Sequence, residues 1–221
     1  MPLNLDPVAT RVLGSLLEKD ITTPEYYPLT VNALVNACNQ KSNRDPVMSL
    51  DEDSVSDALE RLRDLGLAGV VTGGSNRVPK YSHRFSEKLN LGRRELALLC
   101  ELMLRGPQTL GELRSRGSRM YDFSDLDEVE SVLRTLATRE PDALVVRLPH
   151  LPGTKEPRWA HLLSGEPEMP AAAFEDAPPI GVVVPAPKHD RVAQLEAEVA
   201  ALRAEVDQLK SMFQEFRQQF E

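Results

Sequence analysis

Cysteine is scarce in this sequence. Cys38 and Cys100 are the only two in 221 residues, and no CxxC pair or spaced Cys/His group accompanies them. A disulfide framework and a zinc knuckle are therefore both excluded by spacing. Each cysteine falls inside an apolar helical pattern, which predicts a buried free thiol. Aromatic residues are also few, at 5% with one tryptophan, so the core must be built mainly from Leu, Val and Ala. No stretch reaches the roughly 18 apolar residues needed to span a bilayer. The N-terminal run Met1 to Asp20 lacks the basic flank and unbroken apolar segment of a signal peptide. The expectation is a cytoplasmic protein.

Catalytic signatures are missing as well. There is no glycine-rich phosphate loop, no GxSxG and no HExxH. The four histidines, His83, His150, His161 and His189, show no ligand spacing. The reading is a non-enzymatic chain with no cofactor, no catalytic residue and no metal site. Excess positive charge is lacking too: the net charge is −8 and the pI about 5.2. A dedicated nucleic-acid binder usually carries a strongly basic domain, so that balance counts against the class without excluding a local basic patch.

What is present is a repeated order of elements. Asp6-Pro7 supplies an N-cap and a proline at the first helical position. Val8, Val12, Leu13, Leu16 and Leu17 follow at helical spacing, and Thr22-Thr23-Pro24 ends the segment. A second helix starts at Thr30 with Val31, Leu34 and Val35. The polar stretch from Asn39 to Pro46 is a loop. Asp51 caps a third helix carrying Val55, Ala58, Leu59, Leu62 and Leu65, closed by Gly66. Leu67 to Thr72 and Pro79 to His83 read as two strands around a glycine turn. Three helices and a hairpin in this order define a winged helix.

The order then recurs. Arg94 to Leu104 is helical, Thr109 caps a helix with Leu110 and Leu113, and Ser124 or Asp125 caps a third with Val129, Val132, Leu133 and Leu136. Asp142 to Leu148 and Pro157 to His161 are the strands. Pro79-Lys80-Tyr81-Ser82-His83 matches Pro157-Arg158-Trp159-Ala160-His161 in character at all five positions, which points to duplication. The expected architecture is mostly α with small β-hairpins (α+β): a winged-helix domain at 1–88, a second at 89–164, a Pro/Ala-rich linker at 165–189 and a coiled-coil helix at 190–221.

That last segment alternates apolar residues at spacings of three and four. Val192, Val199, Val206, Phe213 and Phe220 fall at a, and Leu195, Leu202, Leu209 and Phe216 at d. Valine at a with leucine at d favours a parallel dimer, and Glu198 and Glu205 at g oppose Arg203 and Lys210 at e. The expectation is a homo-oligomer paired through 190–221. An amphipathic helix folded back on its own chain is the alternative.

Several motifs are specific enough to carry a resemblance. Thr22 to Thr30 (TTPEYYPLT), Ala37 to Val47 (ACNQKSNRDPV), Arg77 to Tyr81 with His83-Arg84, and Gly106 to Thr109 with Gly111 to Arg114 resemble the YceH-like family of uncharacterised bacterial proteins. The resemblance spans about residues 4 to 163 and implies tandem winged-helix domains in a bacterial cytosolic protein. It implies no mechanism.

Charge divides the possible ligands. In a helix-turn-helix protein the third helix enters the major groove and faces phosphate. Here the third helix holds Asp51, Glu52, Asp53, Asp57, Glu60 and Asp64 against Arg61 and Arg63. Its counterpart holds Asp125, Asp127, Glu128, Glu130 and Glu140 against Arg134 and Arg139. Cations gather elsewhere. Lys41 and Arg44 lie in the loop with Asn39, Gln40 and Asn43. Arg77, Lys80 and Arg84 lie on the first wing with Tyr81 and His83, and Arg114, Arg116 and Arg119 follow the second module's second helix. These are the candidate contacts for nucleic acid or for an acidic protein segment. The bland alternative gives the amides to unpaired backbone groups of the loop, the loop cations to Asp45 and Asp51, and the histidines to the wing bases. Two functions stay open: a regulator that binds nucleic acid through wing and loop, and a protein-interaction scaffold without DNA binding.

Overall fold

A computed structural model describes residues 3–71, 78–150 and 156–167. Two compact units divide the chain, 1–176 and 177–221. All the described residues belong to the first; the heptad positions and most of the linker lie outside them.

The first repeat runs α1 (Pro7–Thr22), α2 (Val31–Cys38), α3 (Glu52–Asp64), β1 (Ala68–Val71) and β2 (Lys80–His83). A short helix, α4 (Phe85–Leu89), leads to α5 (Arg93–Arg105), α6 (Leu110–Gly117), α7 (Leu126–Ala137), β3 (Val145–Arg147) and β4 (Trp159–His161). The class is α+β, with two separate two-stranded antiparallel sheets among the described residues.

The caps explain where the helices start. Asp6 accepts from the Val8 and Ala9 amides, Thr30 from Ala33, Asp51 from Ser54, and Asp125 from Glu128. Thr109 and Glu112 form a reciprocal capping box. The second strand pair is shorter than the pattern suggested, since β3 begins at Val145 rather than Asp142. The helix α4 and the 3₁₀ turn Pro24–Tyr26 carry no periodicity long enough to read from sequence.

The two halves place like residues at like points. Leu29, just before the Thr30 cap, pairs by a lone bridge with Tyr81 of β2. Gln108, just before the Thr109 cap, pairs the same way with Trp159 of β4. The matched five-residue motifs thus occupy matched strands.

The core is continuous across both halves. Helix α1 is buried from Ala9 to Glu18 and α5 from Leu96 to Leu104, on every face. A helix enclosed on all sides is a central helix, and these two pack on each other. Their approach is close at Gly14. A Cβ there would sit 2.9 Å from Leu104 Cδ2 and 3.3 Å from Met103 Cβ, so any larger residue must push the buried Leu104 side chain aside. The Cys100 thiol donates to the Gly14 carbonyl at 3.3 Å at the same crossing. Both cysteines are free and buried, and burial pushes both thiols up in pKa, which keeps them unreactive.

Candidate interaction surface

Wholly enclosed helices bury whatever polar residues they carry, and those must find partners. In α1 the enclosed set includes Arg11 and Glu18. Arg11 donates to the Cys38 and Pro46 carbonyls at 3.1 and 2.7 Å. Glu18 is fully buried and accepts from Arg44, whose guanidinium is also fully buried, and from Arg119. Burial alone would raise the Glu18 carboxyl. The hydrogen bonds and charges of Arg44 and Arg119 more than offset it, so Glu18 titrates below the ordinary glutamate range.

This arrangement corrects the expected surface patch. Arg44 does not face solvent beside Lys41; it turns inward, also donates to the Ala37 and Asn43 carbonyls, and ties the loop to α1. The physical reason is that α5 covers α1, leaving Glu18 in need of a buried cation. Asn39 closes the same loop, donating to the Leu50 carbonyl at 2.7 Å and accepting from the Leu50 amide at 2.8 Å. Asn43 has a left-handed backbone, with φ of 57°, and accepts from Arg105 of α5. The Asn39 amide thus holds backbone, the bland alternative, while the Asn43 amide holds the Arg105 side chain. Lys41 is exposed and Gln40 half-buried.

The other predicted residues separate into groups. Tyr81 is half-buried against the core, and His83 contacts Asp20 through Nε2 at 3.1 Å while its backbone amide donates to the Tyr27 hydroxyl at 2.6 Å. Arg77 lies outside the described residues. Lys80 and Arg84 share no ion pair or side-chain hydrogen bond among the described residues. Arg84 lies across Gly69, where a Cβ would stand 2.7 Å from its Nε; the missing side chain makes room for the guanidinium on the sheet. Arg114 donates to the Phe123 and Ser124 carbonyls, and Arg116 binds Gln108 and Glu112. Arg119 is joined to Glu18 and Glu101, with its side chain 29% exposed. Of the thirteen predicted contacts, Lys41, Lys80 and Arg84 are the described cations left without a partner.

The carboxylates fall differently. On α7, Asp125 and Glu128 serve the cap and the Ser124 turn, and Glu130 pairs with Arg134. Accepting from Ser124 lowers the Glu128 carboxyl in pKa. On α3, Asp51 is likewise a cap, and Arg61 pairs with Asp6. Asp53, Asp57, Glu60 and Asp64 are exposed, at spacings that set them along one stripe of α3, and have no partner among the described residues. The sequence showed α3 to be acidic; the structure shows which acids are free.

Comparison with known proteins fixes the class. The family described as "Protein of unknown function, DUF480" matches residues 5–154, most of the chain, and the protein belongs to it. A UPF0502 protein of Citrifermentans bemidjiense is 56% identical over 201 residues, covering 90% of each chain. A UPF0502 protein of Geobacter sulfurreducens is 54% identical over the full length of both, and one of Koribacter versatilis is 56% identical over 91% of this chain and 92% of its own.

Proposed function

We propose that this protein is a tandem winged-helix module of the kind its YceH-like motifs imply, and that it binds protein rather than duplex DNA. Each repeat has three helices, a hairpin, and a one-residue bridge from the segment before the second helix, which is the winged-helix order. The observation that carries the binding reading is the stripe Asp53, Asp57, Glu60 and Asp64 on α3, exposed and unpaired among the described residues. A helix so charged is repelled by phosphate and attracted to a basic partner surface. The inward turn of Arg44 and the pairing of Arg119 remove two cations that phosphate contact would need.

Anisotropy of a labelled random duplex, titrated at low and rising salt, tests this. The expected result is no saturable binding at low salt. Tight binding that weakens steeply with salt overturns the reading and assigns Lys80 and Arg84 to phosphate instead. A lysine-rich peptide is the positive probe. It should bind wild type, and the variant D53N/D57N/E60Q/D64N should lose that binding; equal binding by both counts against the stripe.

The heptad pattern of 190–221 supports a parallel dimer that would present two such modules together. Deleting 190–221 is expected to convert the protein to a monomer in sedimentation equilibrium; an unchanged mass removes the proposal.

A further inference from the structure

Glu18 lies one turn before the end of α1, and Glu101 one turn before the end of α5. Arg44 and Arg119 lie in the loops that lead to the caps of α3 and α7. Two self-contained pairs, Arg44 with Glu18 and Arg119 with Glu101, would have satisfied each repeat alone. The structure is different. Arg119 forks: Nη2 and Nε donate to Glu101 Oε1 at 2.8 and 3.3 Å, while Nη1 donates to Glu18 Oε1. Glu18 therefore holds one arginine from each repeat, and both carboxylates are fully buried. Two further bonds cross the same boundary. Arg105 donates to Asn43 Oδ1 at 3.0 Å, and the Asp45 amide donates to the Leu104 carbonyl at 2.9 Å.

We infer that Glu18 couples the two loops that precede α3 and α7, so that they open one at a time. A buried carboxylate with two cations tolerates the withdrawal of one, because the other still compensates its charge. Withdrawal of both leaves it only Lys19, whose Nζ stands 3.7 Å away on a side chain 19% exposed, and that costs more than twice the first loss. A partner that draws the 39–50 loop away from α1 thus tightens the hold on the 118–124 loop; the reverse opening also strips the buried Glu101 of Arg119 and is the costlier of the two. This coupling goes beyond the acidic-stripe reading and holds whichever ligand the protein takes.

A double-substitution cycle tests it. Arg44→Met, Arg119→Met and their combination are compared with wild type in urea unfolding, each variant first shown folded by circular dichroism. The double variant is expected to lose about tenfold more in folding equilibrium constant than the product of the single losses. In Arg44→Met, hydrogen exchange at 118–124 is expected to slow while exchange at 39–50 speeds up. Losses that simply multiply, or faster exchange in both loops, overturn the coupling. Should Arg44→Met fail to fold, Arg44→Gln, which removes the charge but keeps a donor for the Ala37 carbonyl, takes its place in the same cycle with the same two outcomes.

Discussion

Glu18→Ala is expected to cost about 3–5 kcal/mol of folding stability. The reason is the company Glu18 keeps. Arg44 has no solvent exposure, and without Glu18 its charge faces only the Ala37 and Asn43 carbonyls. Arg119 suffers less, because it retains Glu101 and is 29% exposed. Glu18→Gln keeps the volume and an acceptor but removes the negative charge, and should fall between wild type and alanine. Urea unfolding with an unchanged m-value is the measurement. A loss below about 1 kcal/mol for Glu18→Ala would place the pair among ordinary surface ion pairs and remove its structural importance.

Acid is expected to weaken the fold in two stages. His161 on β4 is half-buried, its buried Nδ1 has no hydrogen-bond partner among the described residues, and burial pushes its pKa from 6.5 down to about 4. Between those values the unfolded chain binds a proton that the folded chain does not. Stability from this group is therefore complete above pH 6.5 and falls as pH drops toward 4, by up to about 3 kcal/mol. Glu18 acts lower. Its folded pKa is depressed, so its contribution is present above the unfolded glutamate value of about 4.3 and is lost as pH falls through the folded value. Urea midpoints measured from pH 8 to 4 test the first stage. His161→Gln should flatten that window, and an unchanged slope would show that the imidazole is solvated. Glu18→Gln should leave it alone and flatten the region below.

Much of the fold was legible because local chemistry is enough for it. Asp6, Thr30, Asp51 and Thr109 start helices wherever they occur before an apolar repeat, since the cap is made within three residues. The paired motifs around Tyr81 and Trp159 were visible as a repeat, and the bridges to Leu29 and Gln108 give that repeat a physical meaning. The acidity of α3 was visible too, although not which of its acids were caps.

The candidate site was far less legible. Asn43, Arg44 and Arg119 read as loop cations and amides because their partners are remote in sequence: Arg44 meets Glu18, Asn43 meets Arg105, and Arg119 meets both Glu18 and Glu101. One signal was available. Arg11 and Glu18 stand inside an apolar helix, and charges in such a place need buried partners.

The chain's own order of residues determined the elements: where helices begin, which strands return, which side chains form the apolar stripes. Tertiary structure alone decided which charges are free. Periodicity assigns each helix one inner face, but α1 and α5 each cover the other's outer face through the close approach at Gly14. That second burial removes water from Glu18 and Glu101, and a carboxylate without water draws in arginines from wherever the fold can bring them.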